Sequence, residues 1–303
     1  MGIGLNWPHG SDIGMCCGFH QPSQNLVNAY KVDANGLPLF TTFNDVDLKN
    51  DQGIKSEETF VPATDEVDPR LDWTVSRRGI PYMDWGVNRG RDWIRNQPDG
   101  GPYLPATKWF VKKSERSTLV TKDGWMSGVN ANNWRAIRYA HVLLWRAEVA
   151  VNENTAASLA YAEELVNMVR TRAAKEVVMG KVTTYELPPT AYPFNVTIDY
   201  ELPAANYKVS PYTVGTFAAQ GKAYALRAVQ WELRLEFAME GHRFFDLRRW
   251  GIINETLNAF AQGDLRIRQF MKNVTFTDRA KWAPVPQGQL DLQPGVLVQN
   301  TGY

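Results

Sequence analysis

Three glutamates spaced four residues apart, Glu232, Glu236 and Glu240, come nearest to a catalytic pattern in this chain. On one helix this spacing stacks the carboxylates along a single stripe, one turn apart. Paired carboxylates can act as the acid and base of a glycoside hydrolase when they face each other across the scissile bond. Two glutamates that follow one another along a buried stripe lack that arrangement. We therefore expect the stripe to be ion-paired structure.

The segment that must position these glutamates is predicted to be one long helix, which begins near Gly221 and continues to Trp250. Apolar side chains occur at helical spacing on two faces, and such a helix is buried between neighbours. One face holds Leu226, Val229, Leu233, Phe237 and Phe244, and the other holds Trp231, Leu235 and Ala238. Stacked like charges need counter-ions when they are buried. The nearby candidates are Arg234, Arg243, Arg248 and Arg249.

Other catalytic and cofactor signatures are missing from the sequence. The four histidines, His9, His20, His141 and His242, show no metal-ligand spacing, and His242 is expected to be a packed core residue. There is no nucleophile elbow, P-loop or dinucleotide-binding fingerprint. We therefore predict a protein that is not an enzyme, with no catalytic residue, no metal and no cofactor.

Composition excludes further classes of function. The net charge of +1 implies no nucleic-acid partner. The two cysteines, Cys16 and Cys17, are adjacent, which disfavours a mutual disulfide and favours structural thiols. No stretch is long and apolar enough to span a membrane.

The clearest local structure is a predicted pair of helices. Asn133-Trp134 opens the first helix, whose apolar residues at 3.6 spacing are Ala136, Ala140, Leu143, Leu144, Ala147 and Val151. A polar break ends it, and Thr155 is a plausible N-cap for the second helix. Leu159, Ala162, Val166, Val169 and Ala173 follow on one face of that helix. Such an αα-hairpin suits tetratricopeptide-like packing and needs partner helices.

The remaining sequence predicts long loops around this helical core. Residues 1–130 are loop-rich, 131–260 form the core and 261–303 form an extended tail, within one region that spans 1–303. Residues 175–221 are a Pro- and Tyr-rich insertion, 254–260 a short helix and 270–277 a strand-like segment. The fold class is therefore mainly α, with long irregular loops and minor β.

One loop has the composition of a ligand site. Sugars are held by exposed aromatic platforms beside planar hydrogen-bonding side chains. The segment 80–93 supplies such residues, namely Tyr82, Trp85, Asn88, Arg91 and Trp93, and its glycines permit close approach. Its tryptophans equally suit a loop that clips onto the helical core.

The opening loop is a second candidate for ligand binding. It contains Trp7 and His9, followed by Phe19 and His20. Its aromatic and imidazole side chains suit the same kind of contact with a sugar.

Several blocks of the chain, in order, resemble conserved segments of one family. They are Asp68-Pro69-Arg70-Leu71 with Gly79, Arg138 to Glu148, Val166 to Ala173, the glutamate stripe with Gly241-His242-Arg243, Asp246-Leu247-Arg248-Arg249-Trp250-Gly251, and the C-terminal Pro284-Val285-Pro286-Gln287 and Gln299 to Tyr303. The segment Gly18 to Ala29 also resembles a segment of the same family. Together they resemble the SusD/RagB family of nutrient-binding lipoproteins on the outer surface of Bacteroidetes-type bacteria.

The resemblance implies a SusD-like fold with tetratricopeptide-type helix pairs, of which this chain resembles the C-terminal portion. Family members are usually about twice as long, and their N-terminal half, with its signal peptide and acylated cysteine, has no counterpart here. The implied function is non-catalytic capture of a glycan at the cell outer membrane, on its extracellular face. The implied partner is a SusC-like TonB-dependent transporter.

Three alternatives to glycan capture remain. A peptide-binding subunit of a RagAB-like importer should show backbone-pairing groups in its cavity. A scaffold that contacts only the transporter predicts that Trp85 and Trp93 are buried or face a protein. A glycoside hydrolase needs two accessible carboxylates across a cleft, which the sequence does not offer.

Overall fold

The structure is a computed structural model that describes residues 18–105, 136–185 and 196–303. The chain divides into two compact units, Met1–Met239 and Glu240–Tyr303. Among the described residues, helices dominate and strands are few, which confirms the predicted fold class. The division of one region into segments 1–130, 131–260 and 261–303 stays a prediction.

The first unit is built mainly from helices. In chain order they are α1 (Gln24–Ala29), α2 (Arg70–Thr74), α3 (Gln97–Gly100), α4 (Tyr139–Glu153), α5 (Ala156–Ala173), α6 (Thr216–Gln220) and α7 (Lys222–Glu236). Long irregular segments separate α1, α2 and α3, as the loop-rich composition predicts. The longest helices are α4, α5 and α7.

The predicted helix pair is confirmed as the α4–α5 hairpin. Asn154 adopts the left-handed conformation that ends α4, and Thr155 caps α5 by accepting a hydrogen bond from the Ser158 amide at 3.0 Å. The predicted apolar face of α5 is buried throughout. The start of α4 was predicted too early, because 136–138 are not helical and Arg138 is the N-cap; residues 133–135 lie outside the described ranges.

In the described part of this unit, the strands form two small antiparallel sheets. The short strands β1 (Val75–Ser76) and β2 (Leu104–Pro105) pair with each other. The longer strands β3 (Met179–Tyr185) and β4 (Val196–Pro203) pair with two irregularities in register. This second pair lies in the Pro- and Tyr-rich insertion, for which no strand was predicted.

Helix α7 lies in the core of the unit. The Trp231 indole makes edge-on contacts with the rings of Phe40 and Phe43, at centroid distances of 5.5 and 4.9 Å. Tyr30 is fully buried and donates a hydrogen bond from its hydroxyl to the Leu235 carbonyl at 2.8 Å. The expectation that this helix is buried on two faces is therefore confirmed for its length up to residue 236.

The prediction of one helix through Trp250 was wrong. Helix α7 ends at Glu236, and Met239 and Gly241 both have positive φ, at 64° and 84°. Glycine tolerates this conformation, which stops a helix. Glu240 therefore falls outside the stripe. His242 is half-buried instead of packed in a core.

The second unit contains α8 (Arg243–Arg249), α9 (Ile253–Asp264) and α10 (Gln287–Leu292), with single 3-10 turns at Gln269–Met271 and Asp278–Lys281. Helix α9 confirms the predicted short helix near 254–260. The strand predicted over 270–277 is wrong, because a 3-10 turn and a left-handed Asn273 occupy it. The tail is extended only in part, since α10 interrupts it. In the part of the chain that the structure describes, no helix is long and apolar enough to cross a membrane.

Candidate functional site

The glutamates of α7 are enclosed by arginines. Arg70 approaches Glu232 at 2.6 Å and Glu236 at 3.0 Å. Arg138 and Arg172 complete the shell around Glu236, at 2.8 and 2.6 Å.

A fourth arginine of this cluster contacts the Glu232 carboxylate. Arg170 is fully buried and lies 3.1 Å from Glu232. The partners proposed from sequence, Arg234, Arg243, Arg248 and Arg249, do not appear among these contacts. The four arginines come from three separate parts of the chain, all far from the glutamates in sequence, and this explains why proximity along the sequence failed to identify them.

This environment argues against acid–base chemistry at Glu236. Burial alone would raise the pKa of its carboxyl, but Arg70, Arg172 and Arg138 together outweigh burial and lower the pKa to about 2. A carboxyl that stays ionised has no proton to give, and its oxygens are already occupied by guanidinium donors. Glu232 and Glu236, together with their arginine partners, form an internal ion cluster that holds helices together.

The loop predicted to bind ligand lies mostly in the interior. Tyr82 and Asn88 are fully buried, and Trp85 and Trp93 are only 8% and 1% exposed. The Tyr82 and Trp93 rings meet edge-on at 5.9 Å, in a cluster with Ile94 and Leu104. Neither tryptophan presents an open ring face, so the expected exposed platform is absent from these positions.

Asn88 organises this loop internally. Its side-chain amide donates to the Ser76 hydroxyl at 2.8 Å, and its side-chain oxygen accepts from the Gly90 amide at 2.7 Å. Arg91 is half-buried, at the start of a single 3-10 turn. Ligand contact by these residues stays a prediction. Trp7 and His9 lie outside the described residues.

Close backbone approach at Gly90 holds the loop in place. A β-carbon at this position would come within 2.3 Å of the Asp51 carboxylate and 2.8 Å of the Arg78 side chain. Gly90 also has a φ of 86°. The glycine thus allows the loop to pass directly over a buried carboxylate.

We expect Gly90→Ala to lower the free energy of unfolding by about 2–4 kcal/mol, because backbone strain adds to a steric clash. Gly86→Ala is the matched control: its φ is 109°, but no atom lies within 4 Å of the added β-carbon. Its cost should be limited to strain, about 1–2 kcal/mol. Urea unfolding followed by circular dichroism measures both. Equal losses would show that the contact with Asp51 is unimportant.

An open cavity of about 280 Å³ adjoins the same loop. Its lining consists of Asp72, Trp73, Pro81, Met83, Val177, Val178 and Met179. The Trp73 side chain is 37% exposed, and its indole N–H donates to the Glu176 carbonyl at 2.7 Å, which fixes the orientation of the ring. The cavity is close to the lower limit of small-molecule sites, about 300 Å³.

The carboxylate in the cavity wall is already neutralised. Asp72 accepts two hydrogen bonds from Arg77, at 2.7 and 2.9 Å, and a third from the Tyr207 hydroxyl at 2.7 Å. Burial, reinforced by Asp72, raises the pKa of Tyr207, so this hydroxyl keeps its proton. The cavity therefore offers a fixed aromatic ring and apolar walls for binding, with no free acid or base for catalysis.

The strand pair β3–β4 packs beside this cavity. A β-carbon on Gly180 would lie 2.9 Å from the Pro81 ring and 3.3 Å from the ring of Tyr200, which is itself exposed. Sequence reasoning missed both Trp73 and Tyr200. Trp73 lies between the buried residues Asp72 and Thr74, where a tryptophan is ordinarily core, and nothing in the sequence pairs it with residues a hundred positions later.

Metal chemistry finds no support in this geometry. Across the described ranges, no group of three or more His, Cys, Asp or Glu side chains is placed to hold a metal ion.

Comparisons with known proteins place this geometry in context. The family model described as "SusD family" matches residues 2–303. A SusD-like protein from Bacteroides fragilis NCTC 9343 has a similar fold, with a TM-score of 0.53 and 18% identity over 99% of this chain and 50% of that structure. The chain thus spans half the length of that relative. No curated protein matches the chain.

Two further solved structures are similar to this chain. A SusD superfamily protein from Bacteroides vulgatus ATCC 8482 gives a TM-score of 0.49 and 19% identity, over 93% of this chain and 44% of that one. A SusD homolog from Bacteroides thetaiotaomicron VPI-5482 gives 0.48 and 22%, over 78% and 41%.

Proposed function

This chain belongs to the SusD family, and from that premise we propose that it captures an oligosaccharide at the bacterial outer surface without cleaving it. The captured glycan passes to a SusC-like TonB-dependent transporter in the outer membrane. We assign this chain to binding without catalysis, because Glu236, the carboxylate that came nearest to a catalytic pattern, is engaged in internal ion pairs.

The open cavity beside Trp73 is the observation that carries the proposal. An indole ring held by a hydrogen bond can stack against the C–H face of a sugar without losing rotational freedom on binding. Pro81 and Met83 extend the apolar wall from the loop that the sequence suggested. The predicted loop then acts as support: it buries its own tryptophans and presents two neighbouring residues to the cavity.

We expect Trp73→Ala to weaken glycan binding about 5- to 30-fold, because a lost stacking contact costs about 1–2 kcal/mol. Isothermal titration with glycans selected on a neutral polysaccharide panel measures the change. Trp73→Phe should retain part of the affinity, since it keeps an aromatic face. Trp145→Ala is the matched control, because Trp145 is similarly exposed, at 40%, on α4 and does not line the cavity.

The outcomes of this test separate the site from the function. Unchanged affinity in Trp73→Ala, with a normal melting temperature, would place the ligand elsewhere on the chain. No binding to any glycan, but binding to oligopeptides, would favour a peptide importer.

A scaffold that contacts only the transporter is the second candidate, and one observation favours it. The burial of Trp85 and Trp93 is what that hypothesis expects of the loop. The scaffold candidate predicts co-purification with a SusC-like transporter and no retardation on any polysaccharide gel. Retardation that depends on Trp73 would exclude it.

A further inference from the structure

The second unit carries a surface cluster of three exposed aromatic side chains and two arginines. We call it the arginine ladder, and it consists of Phe245, Arg248, Trp282, Tyr303 and Arg279. The Arg248 guanidinium carbon lies 5.6 Å from the Phe245 ring centroid and 4.7 Å from that of Trp282. The Arg279 guanidinium carbon lies 4.3 Å from the Tyr303 ring centroid. Cation–π contact explains why these cations and rings lie together.

Hydrogen bonds hold the two halves of the arginine ladder in place. The Tyr303 hydroxyl donates to the Trp282 carbonyl at 3.0 Å and lies 3.2 Å from the Arg279 carbonyl. The Arg248 guanidinium donates to the Lys281 carbonyl at 3.2 Å. These bonds tie Tyr303 and the Arg248 side chain of helix α8 to the short turn that carries Arg279.

Positive charge on the arginine ladder is not neutralised by its surroundings. Within the described ranges, neither Arg248 nor Arg279 forms a salt bridge. The nearby acids serve other bases: Asp246 pairs with Arg249 at 3.0 Å, and Asp278 pairs with Lys281 at 2.6 Å. Two guanidinium groups therefore retain donors for an external anion.

The rings of the arginine ladder are open to solvent. Phe245 is 58% exposed, Trp282 is 53% exposed and Tyr303 is 44% exposed. Three large aromatic side chains on one short stretch of surface, beside arginines without a salt bridge, are a combination typical of recognition surfaces. A ligand that fits must offer an apolar face to the rings and a negative group to the guanidinium planes.

From these observations we infer that the arginine ladder binds an anionic glycan, whose pyranose ring stacks on Trp282 and whose carboxylate or sulfate pairs with Arg248 or Arg279. Arginine suits both anions because its planar fork donates two parallel hydrogen bonds. The inference rests on the proposed function, to which it adds the charge of the glycan and a second contact surface in the other unit. Capture of an anionic sugar here is independent of the Trp73 cavity.

The test uses three oligosaccharides of equal length: an oligogalacturonate, a sulfated galactan fragment and a neutral galactan fragment. We expect the intact chain to bind at least one anionic oligosaccharide about tenfold more tightly than the neutral one at low salt. The preference should shrink as the salt concentration rises, because charge pairing is screened. The uronate and the sulfate distinguish the two sources of negative charge.

Variants connect this preference to the arginine ladder. Arg248→Gln and Arg279→Gln should each reduce the preference for the anionic oligosaccharide several-fold, and the double variant should abolish it. Trp282→Ala should also weaken binding of the anionic oligosaccharide, because the ring on which the sugar stacks is lost. Arg227→Gln, which removes an exposed arginine from α7 in the first unit, is the charge-matched control and should leave the preference intact.

Each remaining outcome has a definite consequence. Equal binding of all three oligosaccharides, with sensitivity to Trp73→Ala, would overturn this inference and leave the proposed function standing. A preference for an acidic peptide such as oligoglutamate over the uronate would assign the arginine ladder to a protein partner and overturn the inference. Failure of every glycan to bind would overturn the proposed function as well.

Discussion

Glu236→Gln is expected to lower the free energy of unfolding by about 3–5 kcal/mol, among the largest effects of any single substitution in this chain. The wild-type carboxylate contacts Arg70, Arg138 and Arg172, at 3.0, 2.8 and 2.6 Å. Glutamine keeps the shape but removes the charge, and its amide directs N–H groups at guanidinium donors. Arg70 is buried, so its charge loses part of its compensation without gaining water in exchange.

Urea unfolding followed by circular dichroism and by tryptophan fluorescence measures this loss. Glu153→Gln is the control, because Glu153 pairs with Arg146 at a similar distance, 3.0 Å, on an exposed part of α4. An exposed pair contributes less than about 1 kcal/mol. If the two substitutions cost the same, the cluster around Glu236 is solvated and its assignment as buried structure is wrong.

The same carboxylate makes stability depend on pH. The pKa of Glu236 falls from 4.5 to about 2 on folding, so its contribution is complete above pH 4.5 and disappears as the pH drops towards 2. Each tenfold change in the acid dissociation constant corresponds to about 1.4 kcal/mol, so this fall in pKa amounts to roughly 3 kcal/mol. Glu236→Gln should remove that part of the acid sensitivity.

The helix pair was predictable because its signals are local. Periodicity over fifteen or more residues identifies each helix, and a single threonine at the right place marks the start of the second. The α4–α5 hairpin was therefore predicted with its turn and with the buried face of α5, whereas Ala136 of the first predicted face is exposed and precedes α4. The family was predictable for a similar reason, since each of the blocks that resemble it is a short stretch of consecutive residues.

The charge partners of α7 were not predictable in the same way. Arg70 is separated from Glu232 by 162 positions along the chain, whereas the arginines proposed from sequence lie close to the glutamates. Only the fold decides which guanidinium fills a buried site. The prediction that the helix continues beyond residue 236 was wrong for a related reason, since Met239 adopts a left-handed conformation that periodicity does not reveal.

Composition also misjudged which aromatic residues are exposed. Trp85 and Trp93 lie among glycines and charged residues, as exposed platforms do, yet they form the interior of their own loop. Trp73 lies within a block of buried residues but contributes its ring to a cavity. Exposure of an indole depends on which segment packs over it, and in this case that segment is over a hundred residues away.

Arg70→Met is expected to destabilise the chain by at least as much as Glu236→Gln, about 4–5 kcal/mol at neutral pH. This one guanidinium contacts Asp68 at 2.7 Å, Glu232 at 2.6 Å and Glu236 at 3.0 Å, and all four groups are buried. Methionine fills similar volume without charge, so three carboxylates lose a shared counter-ion. Arg170, Arg138 and Arg172 still compensate the two glutamates in part, whereas Asp68 keeps none of the salt bridges of this cluster.

The pH dependence of Arg70→Met distinguishes lost charge from lost packing. Arg70 makes the largest contribution to lowering the pKa of Glu236, so without it that pKa is lowered less and the carboxylate contributes less stability above pH 4.5. The deficit relative to wild type should therefore shrink as the pH drops from 4.5 towards 2, because the wild-type chain loses the contribution of Glu236 over that range. Leu71→Ala, a neighbouring core truncation on α2, should show a deficit that does not vary with pH. A deficit in Arg70→Met that is equally independent of pH would mean that the side chain acts through volume, and that the carboxylates are compensated by the other three arginines alone.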